Sequence, residues 1–198
     1  MKVAVLCAVV AGLGILGYHL TAWLLKLHYA ECQEVVPGVL YRCGRMTPAF
    51  VEDAVRKHGI KTIVDLRGDE SAPRGTETEL DWARKKGLRY FNLRVGAPSP
   101  EQMIANFLVI ATTPACQPVL VHCHHGRGRT GLCVGMYRIT QQKWTVEQAF
   151  DEMVASGLFP SDRETYLKFL REHPSFDWKK FVTVDPNKPG NVEKLKIR

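Results

Sequence analysis

Residues 118–123, PVLVHC, form a short apolar run that passes without a linker into a turn holding Gly126 and Gly128 and then into the helical pattern TGLCVGMYRITQQ. A strand joined this tightly to a helix is half of a β–α unit, and such units build sheets whose faces are covered by helices. The alternation recurs upstream. VLYR (39–42) reads as a brief strand after a linker around Glu31–Gly38, and TPAFVEDAVRKHG as a helix with Thr47 as N-cap, Pro48 in the first turn and Gly59 as the stop. IKTIVDL (60–66) is β-branched and bounded by Gly68, which predicts a buried strand. Next come the helix TETELDWARKKG with a capping box from Thr76 to Glu79, the strand RYFNLRV, and a helix opened by a second box from Ser99 to Gln102. Two more helices follow the glycine-rich turn, capped by Thr145 with Gln148 and by Ser161 with Glu164.

This order predicts an α/β fold with a central, mostly parallel sheet flanked by helices, in which ligands bind beyond the carboxyl ends of the strands. The turn after Cys123 lies at such an end. A length of 198 residues with 45% hydrophobic residues suits one domain plus appendages. The expected division is an N-terminal anchor over residues 1–30, a folded domain over 31–174 and a basic tail over 175–198, rich in Lys, Pro and Asn, lying partly on the domain.

Residues Val3–Leu25 contain no Asp, Glu, Lys or Arg. As a helix they would reach about 35 Å at about 1.5 Å per residue, enough to cross roughly 30 Å of hydrocarbon. Lys2 and Lys26 flank the segment, and Tyr18, His19 and Trp23 suit a headgroup zone. His28-Tyr29-Ala30 is a poor cleavage site, which favours a single-pass anchor over a removed signal peptide. The expected location is therefore a membrane, of the bacterial inner-membrane kind, with the side of the domain open.

Lys and Arg number 27 against 20 Asp and Glu, a formal charge of +7 that favours anionic partners. Nucleic acid is not the expected one, because no basic stripe interleaved with aromatics and no zinc-finger spacing is present. The six cysteines show no CxxC pair. A metal site is not expected either: His122, Cys123, His124 and His125 are all competent ligands, but consecutive residues on a strand point to opposite faces.

A phosphate suits the turn. Gly126 and Gly128 permit positive φ, so successive backbone N–H groups can face inward as an anion-binding nest, with His124, His125 and Arg127 between and beside them. The helix N-terminus adds its dipole, and Arg129, six residues after Cys123, supplies a planar fork for two oxygens. Such surroundings favour a thiolate at Cys123, the form that acts as nucleophile, with the Thr130 hydroxyl placed to donate to the sulfur.

HCHHGRGRTG resembles the Cys-x5-Arg-Ser/Thr motif of the protein tyrosine phosphatase superfamily, in its small bacterial dual-specificity-like branch, and VLYRCGRM and GIKTIVDLRGDE also look like segments of it. The likeness covers about residues 36–173. It implies a phosphomonoester substrate, no cofactor or metal requirement, Cys123, Arg129 and Thr130 in catalysis, and His124, His125, Gly126, Arg127 and Gly128 around the phosphate. A phosphorylated protein is the expected substrate, with a phosphoinositide or inositol phosphate, or an adaptor that binds phosphate without turnover, as alternatives.

Such enzymes use an aspartate general acid some 25–35 residues before the cysteine, where this chain reads FNLRVGAPSPEQM, with no aspartate. The candidates are Asp69, Asp162 and Glu101, each of which has a plainer role as a turn or helix-start acid. Arg67, Arg74 and Arg94 are expected at sheet-end loops, either as a basic rim or as ordinary isolated surface arginines. Cys43 and Cys133 read as packing residues.

Overall fold

The computed structural model describes residues 14–18, 20, 32–44, 48–68, 78–93 and 99–188. Five strands, β1 (Gln33–Val36), β2 (Leu40–Cys43), β3 (Thr62–Asp65), β4 (Arg89–Asn92) and β5 (Val119–His122), form one sheet in the order β1-β2-β5-β3-β4. β2, β5, β3 and β4 pair in parallel, while β1 runs antiparallel to β2, so the sheet is mixed. β1 occupies the stretch expected to be a linker. Its strand pattern is too short to register in the sequence, and it is held by pairing with β2 and by the Tyr41 hydroxyl donating to Glu34 at 2.8 Å.

Among the described residues six helices pack around the sheet: α1 (Pro48–His58), α2 (Glu79–Lys85), α3 (Pro100–Thr112), α4 (Gly128–Gln142), α5 (Val146–Ala155) and α6 (Arg163–Glu172). Alternation along each strand divides the core into two layers. On β5, Val119 and Val121 face α3, α4 and α5 with Phe107, Val134 and Met153, whereas Leu120 faces α1 and α2 with Val51, Ala54 and Trp82. Both faces being covered explains why the strand reads as an unbroken apolar run.

Local capping chemistry sets several helix starts. Thr145 and Gln148 make a complete capping box at α5, and Ser99 accepts from the Gln102 N–H at α3. At α2 the cap is Thr78, which accepts from the Asp81 N–H, rather than the expected Thr76, which lies outside the described residues. Beyond α6 the chain continues onto the domain. A short turn at Trp178–Phe181 packs on α3, where the side-chain Oδ1 of the buried Asn106 accepts from the Thr183 and Val184 N–H groups at 2.8 and 3.3 Å.

Among the described residues no helix is long and apolar enough to cross a membrane. This corrects the expected single-pass anchor, and with it the membrane as location and as partner. Of Val3–Leu25 the described residues are Gly14–Tyr18 and Leu20, all helical. The rest of that segment lies outside the described residues.

Candidate active site

The end of β5, the glycine-rich turn and the start of α4 form a tight loop over the buried Cys123. Gly126 adopts φ +71°, and a Cβ there would meet the Cys43 carbonyl oxygen at 2.6 Å, so this position needs glycine for conformation and for space. The turn aims the Gly126 N–H at the Cys123 Sγ, at 3.3 Å. Burial by itself would raise the thiol pKa, but the Thr130 hydroxyl and the Thr130, Gly126 and His125 N–H groups donate to the sulfur and bring it below the ordinary value. The helix start contributes two of these donors' surroundings, and Thr130 is fully buried beneath the loop.

Arg129 projects from the first turn of α4. Its Nη1 donates to the Leu66 carbonyl at 2.5 Å and the Arg67 carbonyl at 3.3 Å, which ties the guanidinium to the loop after β3. Both contacts use one nitrogen. A guanidinium has further N–H donors in its fork, a geometry that suits two oxygens of a tetrahedral anion. Arg42, 4% exposed, lies under the loop: its Nη2 donates to the Gly126 carbonyl at 2.7 Å and its Nη1 to the Ser156 hydroxyl at 3.0 Å. The arrangement is a ring of inward amides and two fixed guanidiniums around a low-pKa sulfur.

A family model described as DSP-PTPase phosphatase fused to NAD+ kinase matches residues 30–168. The chain belongs to that family. This DSP-PTPase chain is 31% identical over 174 residues to inositol diphosphatase SIW14 of Saccharomyces cerevisiae, a match covering 79% of the chain and 59% of that protein. It is 28% identical over 145 residues to dual specificity protein phosphatase TpbA of Pseudomonas aeruginosa, covering 67% of the chain and 62% of that protein. The matches thus span about three-fifths of these relatives' length. The Siw14 catalytic core shares the fold with a TM-score of 0.61 at 24% identity over 76% of this chain and 86% of that one. For crystalline P. aeruginosa TpbA the values are 0.52, 26%, 71% and 90%.

Behind the nucleophile position this DSP-PTPase chain buries a charge cluster that its sequence did not reveal. Arg67 donates to both oxygens of Asp65 and to Glu79, Tyr90 donates to Asp65 at 2.7 Å, and His122 Nε2 lies 3.0 Å from Glu79. Arg67 was expected on an exposed rim, but its side chain is only 10% exposed, because the buried Asp65 and half-buried Glu79 carboxylates draw it inward. Burial alone would lower the His122 pKa, yet Glu79 and Asp65 raise it above the ordinary value. Asp65, Glu79 and His122 bring ligand atoms within 4.8 Å of one another, but Arg67 occupies both carboxylates, so the set is a closed ion network and fits a metal poorly.

The remaining candidates separate by position. Asp162 is the N-cap of α6, accepts from the Ser161 hydroxyl at 3.1 Å, and acts electrostatically on Tyr166, whose hydroxyl borders Gly128 of the loop. Glu101 pairs instead with His173 at 3.6 Å, and bonding to Ser99 holds its pKa below the ordinary carboxylate value, the opposite of what a proton donor needs. Asp69, Arg74 and Arg94 lie outside the described residues. Cys43 and Cys133 are fully enclosed, and burial pushes both thiols up, which makes them inert packing residues.

The His124 and His125 rings meet edge to face at 4.6 Å, with His125 exposed and His124 and Arg127 half-buried. The signal that finds Cys123 and Arg129 is their spacing. No comparable signal marks Arg42, Glu79 or Tyr166, which reach the loop from distant elements.

Proposed function

We propose that this chain is a cysteine-dependent phosphomonoester hydrolase of the protein tyrosine and dual-specificity phosphatase type, acting on a phosphorylated protein. The observation that carries this reading is the Gly126 N–H at 3.3 Å from a Cys123 sulfur enclosed by the loop and the α4 N-terminus. The Cys123 thiolate attacks phosphorus in line, forming a sulfur–phosphorus bond as the ester oxygen leaves. Asp162 protonates that oxygen. Arg129 and the N–H groups of His124, His125, Gly126, Arg127 and Gly128 hold the equatorial oxygens, most tightly as charge redistributes in the transition state. Water then cleaves the phosphocysteine, and the Thr130 hydroxyl stabilises the departing thiolate.

A second reading, hydrolysis of an inositol phosphate, draws support from the name of the SIW14 relative and from the basic side chains beside the loop. Release of p-nitrophenol from p-nitrophenyl phosphate tests the first proposal. Turnover by the full chain and its loss in Cys123→Ser are expected, and equal background release from both overturns it. Phosphopeptides compared with inositol phosphates then separate the two substrate classes.

A further inference from the structure

β1 is an edge strand of four residues, paired on one side only, and its partner β2 carries two groups that support the glycine-rich loop. One is the Arg42 guanidinium, which donates to the Gly126 carbonyl at 2.7 Å. The other is the Cys43 carbonyl, against which Gly126 packs so closely that a Cβ there would stand 2.6 Å from its oxygen. What holds β1 on β2 therefore bears on the loop.

In the antiparallel register Gln33 is opposite Arg42 and Glu34 opposite Tyr41, and one step further along it Cys32 stands opposite Cys43. Tyr41 donates to Glu34 across the strands at 2.8 Å, so that pair shares a face, and side chains two positions on share it too. Burial agrees. Cys43 is 3% exposed in the core layer of Val51, Ala54 and Trp82, and the half-buried Cys32 packs against the same layer. Cys116, Cys123 and Cys133 belong to the layer on the other side of the sheet. Among the described residues Cys32 is thus the one cysteine that shares a layer with Cys43. Opposed residues of an antiparallel pair have Cα atoms about 4.5 or 5.5 Å apart, and both spacings fall within the roughly 4.4–6.8 Å that a disulfide spans.

We propose that Cys32 and Cys43 form a cross-strand disulfide site, closed while the chain folds under oxidising conditions, that fastens β1 to the strand supporting the loop. The two stand as free thiols in this structure. Burial pushes the Cys32 thiol up to about 12, and Cys43 is raised too, by burial first and by Cys32 next. Once folded, both are protonated near neutral pH and slow to react. Closure therefore belongs to the folding chain, whose thiols have ordinary pKa values of about 8.5. The oxidant is a low-molecular-weight disulfide such as oxidised glutathione. One cysteine thiolate attacks it and forms a mixed disulfide as a glutathione thiolate leaves, and the second cysteine thiolate then attacks the protein sulfur of that bond and releases the other glutathione. Two protein thiols are oxidised, one disulfide is reduced to two thiols, and the two protons pass to glutathione.

The test needs no turnover, so its outcome is independent of the phosphatase reading. The full chain carrying Cys123→Ser, which keeps the nucleophile from trapping glutathione, is refolded from denaturant with oxidised and reduced glutathione or with dithiothreitol alone. Remaining thiols are blocked before digestion. Trypsin cuts after Lys26, Arg42 and Arg45, so the link joins peptides 27–42 and 43–45, which mass spectrometry is expected to find together before reduction and apart after it. Tm is expected to be about 5–10 °C higher in the oxidised protein, and this gain to vanish in Cys32→Ser and in Cys43→Ala. The peptide map is made with both cysteines in place, so it decides even where Cys43→Ala fails to fold. Absence of the link from folded oxidised protein, Cys32 joined to another cysteine, an unchanged Tm, or a gain that persists in Cys32→Ser would each overturn the proposal.

Discussion

Arg42 and Gly126, 84 positions apart, are joined by a 2.7 Å hydrogen bond from the Arg42 Nη2 to the Gly126 carbonyl, and that bond sets the floor of the phosphate loop. The same glycine turns its N–H to the Cys123 sulfur. One peptide segment is thus held through its carbonyl by Arg42 while its amide faces the Cys123 sulfur. The buried guanidinium also lies close enough to Cys123 for their charges to interact, which favours the thiolate.

Replacing Arg42 with Met leaves the Gly126 carbonyl without this donor. A hydrogen bond to a charged group is worth about 1.5–3 kcal/mol, so kcat/KM for p-nitrophenyl phosphate is expected to fall roughly 10- to 100-fold. Alkylation of Cys123 by iodoacetamide, followed against pH, should show the thiol pKa moving up towards its ordinary value. An unaltered alkylation profile would show that Arg42 does no more than pack.

Gly128 lies against Tyr166, and a Cβ at Gly128 would stand 2.6 Å from the Tyr166 hydroxyl and 3.1 Å from the carbon that bears it. Gly128→Ala is therefore expected to displace the loop and reduce kcat by an order of magnitude or more. Adding Tyr166→Phe removes the closer of the two clashes. Partial recovery in the double variant, measured by steady-state kinetics, is the expected result, and two independent losses would contradict it.

Asp162→Asn separates chemistry from binding. General acid catalysis is worth about 10²- to 10⁴-fold and matters most when the leaving oxygen is basic. The variant is expected to lose far more activity on phenyl phosphate than on p-nitrophenyl phosphate. Equal losses on both substrates would remove Asp162 from the role of proton donor.

His122 makes stability depend on pH in a definite direction. Its folded pKa lies above the unfolded value of about 6.5, so its contribution is fully present below that value and is lost as pH rises through the folded pKa. Asp65 runs the other way: burial raises its pKa, but the bonds from Arg67 and Tyr90 and the charges of His122 and Arg67 together lower it, and its contribution is lost in acid as pH falls through that lowered value. Thermal melting should therefore show Tm declining as pH rises from about 6.5 through the folded His122 pKa. Glu79→Gln, which removes the carboxylate paired with His122, is expected to flatten that decline.

Where the sequence was legible, the interactions were local. Thr145 with Gln148 and Ser99 with Gln102 cap their helices within one turn, and Gly126, Gly128, Arg129 and Thr130 lie within seven residues of Cys123, so the loop and the helix after it follow from short-range backbone geometry. β1 was not legible, because a four-residue edge strand exists only through its pairing with β2. The run Val3–Leu25 suggested a membrane span, but among the described residues no helix is long and apolar enough to be one.

The amino-acid sequence alone determined that a cysteine, an arginine and a ring of amides would meet at the end of a buried strand. Only the tertiary structure decided that Arg42 supports that ring, that Arg67 turns inward to Asp65 and Glu79, and that Phe159 comes to rest against Arg127. Those contacts join elements brought together by sheet order and helix packing, and a side chain's partner across such a distance is set by the path of the whole chain rather than by its neighbours in sequence.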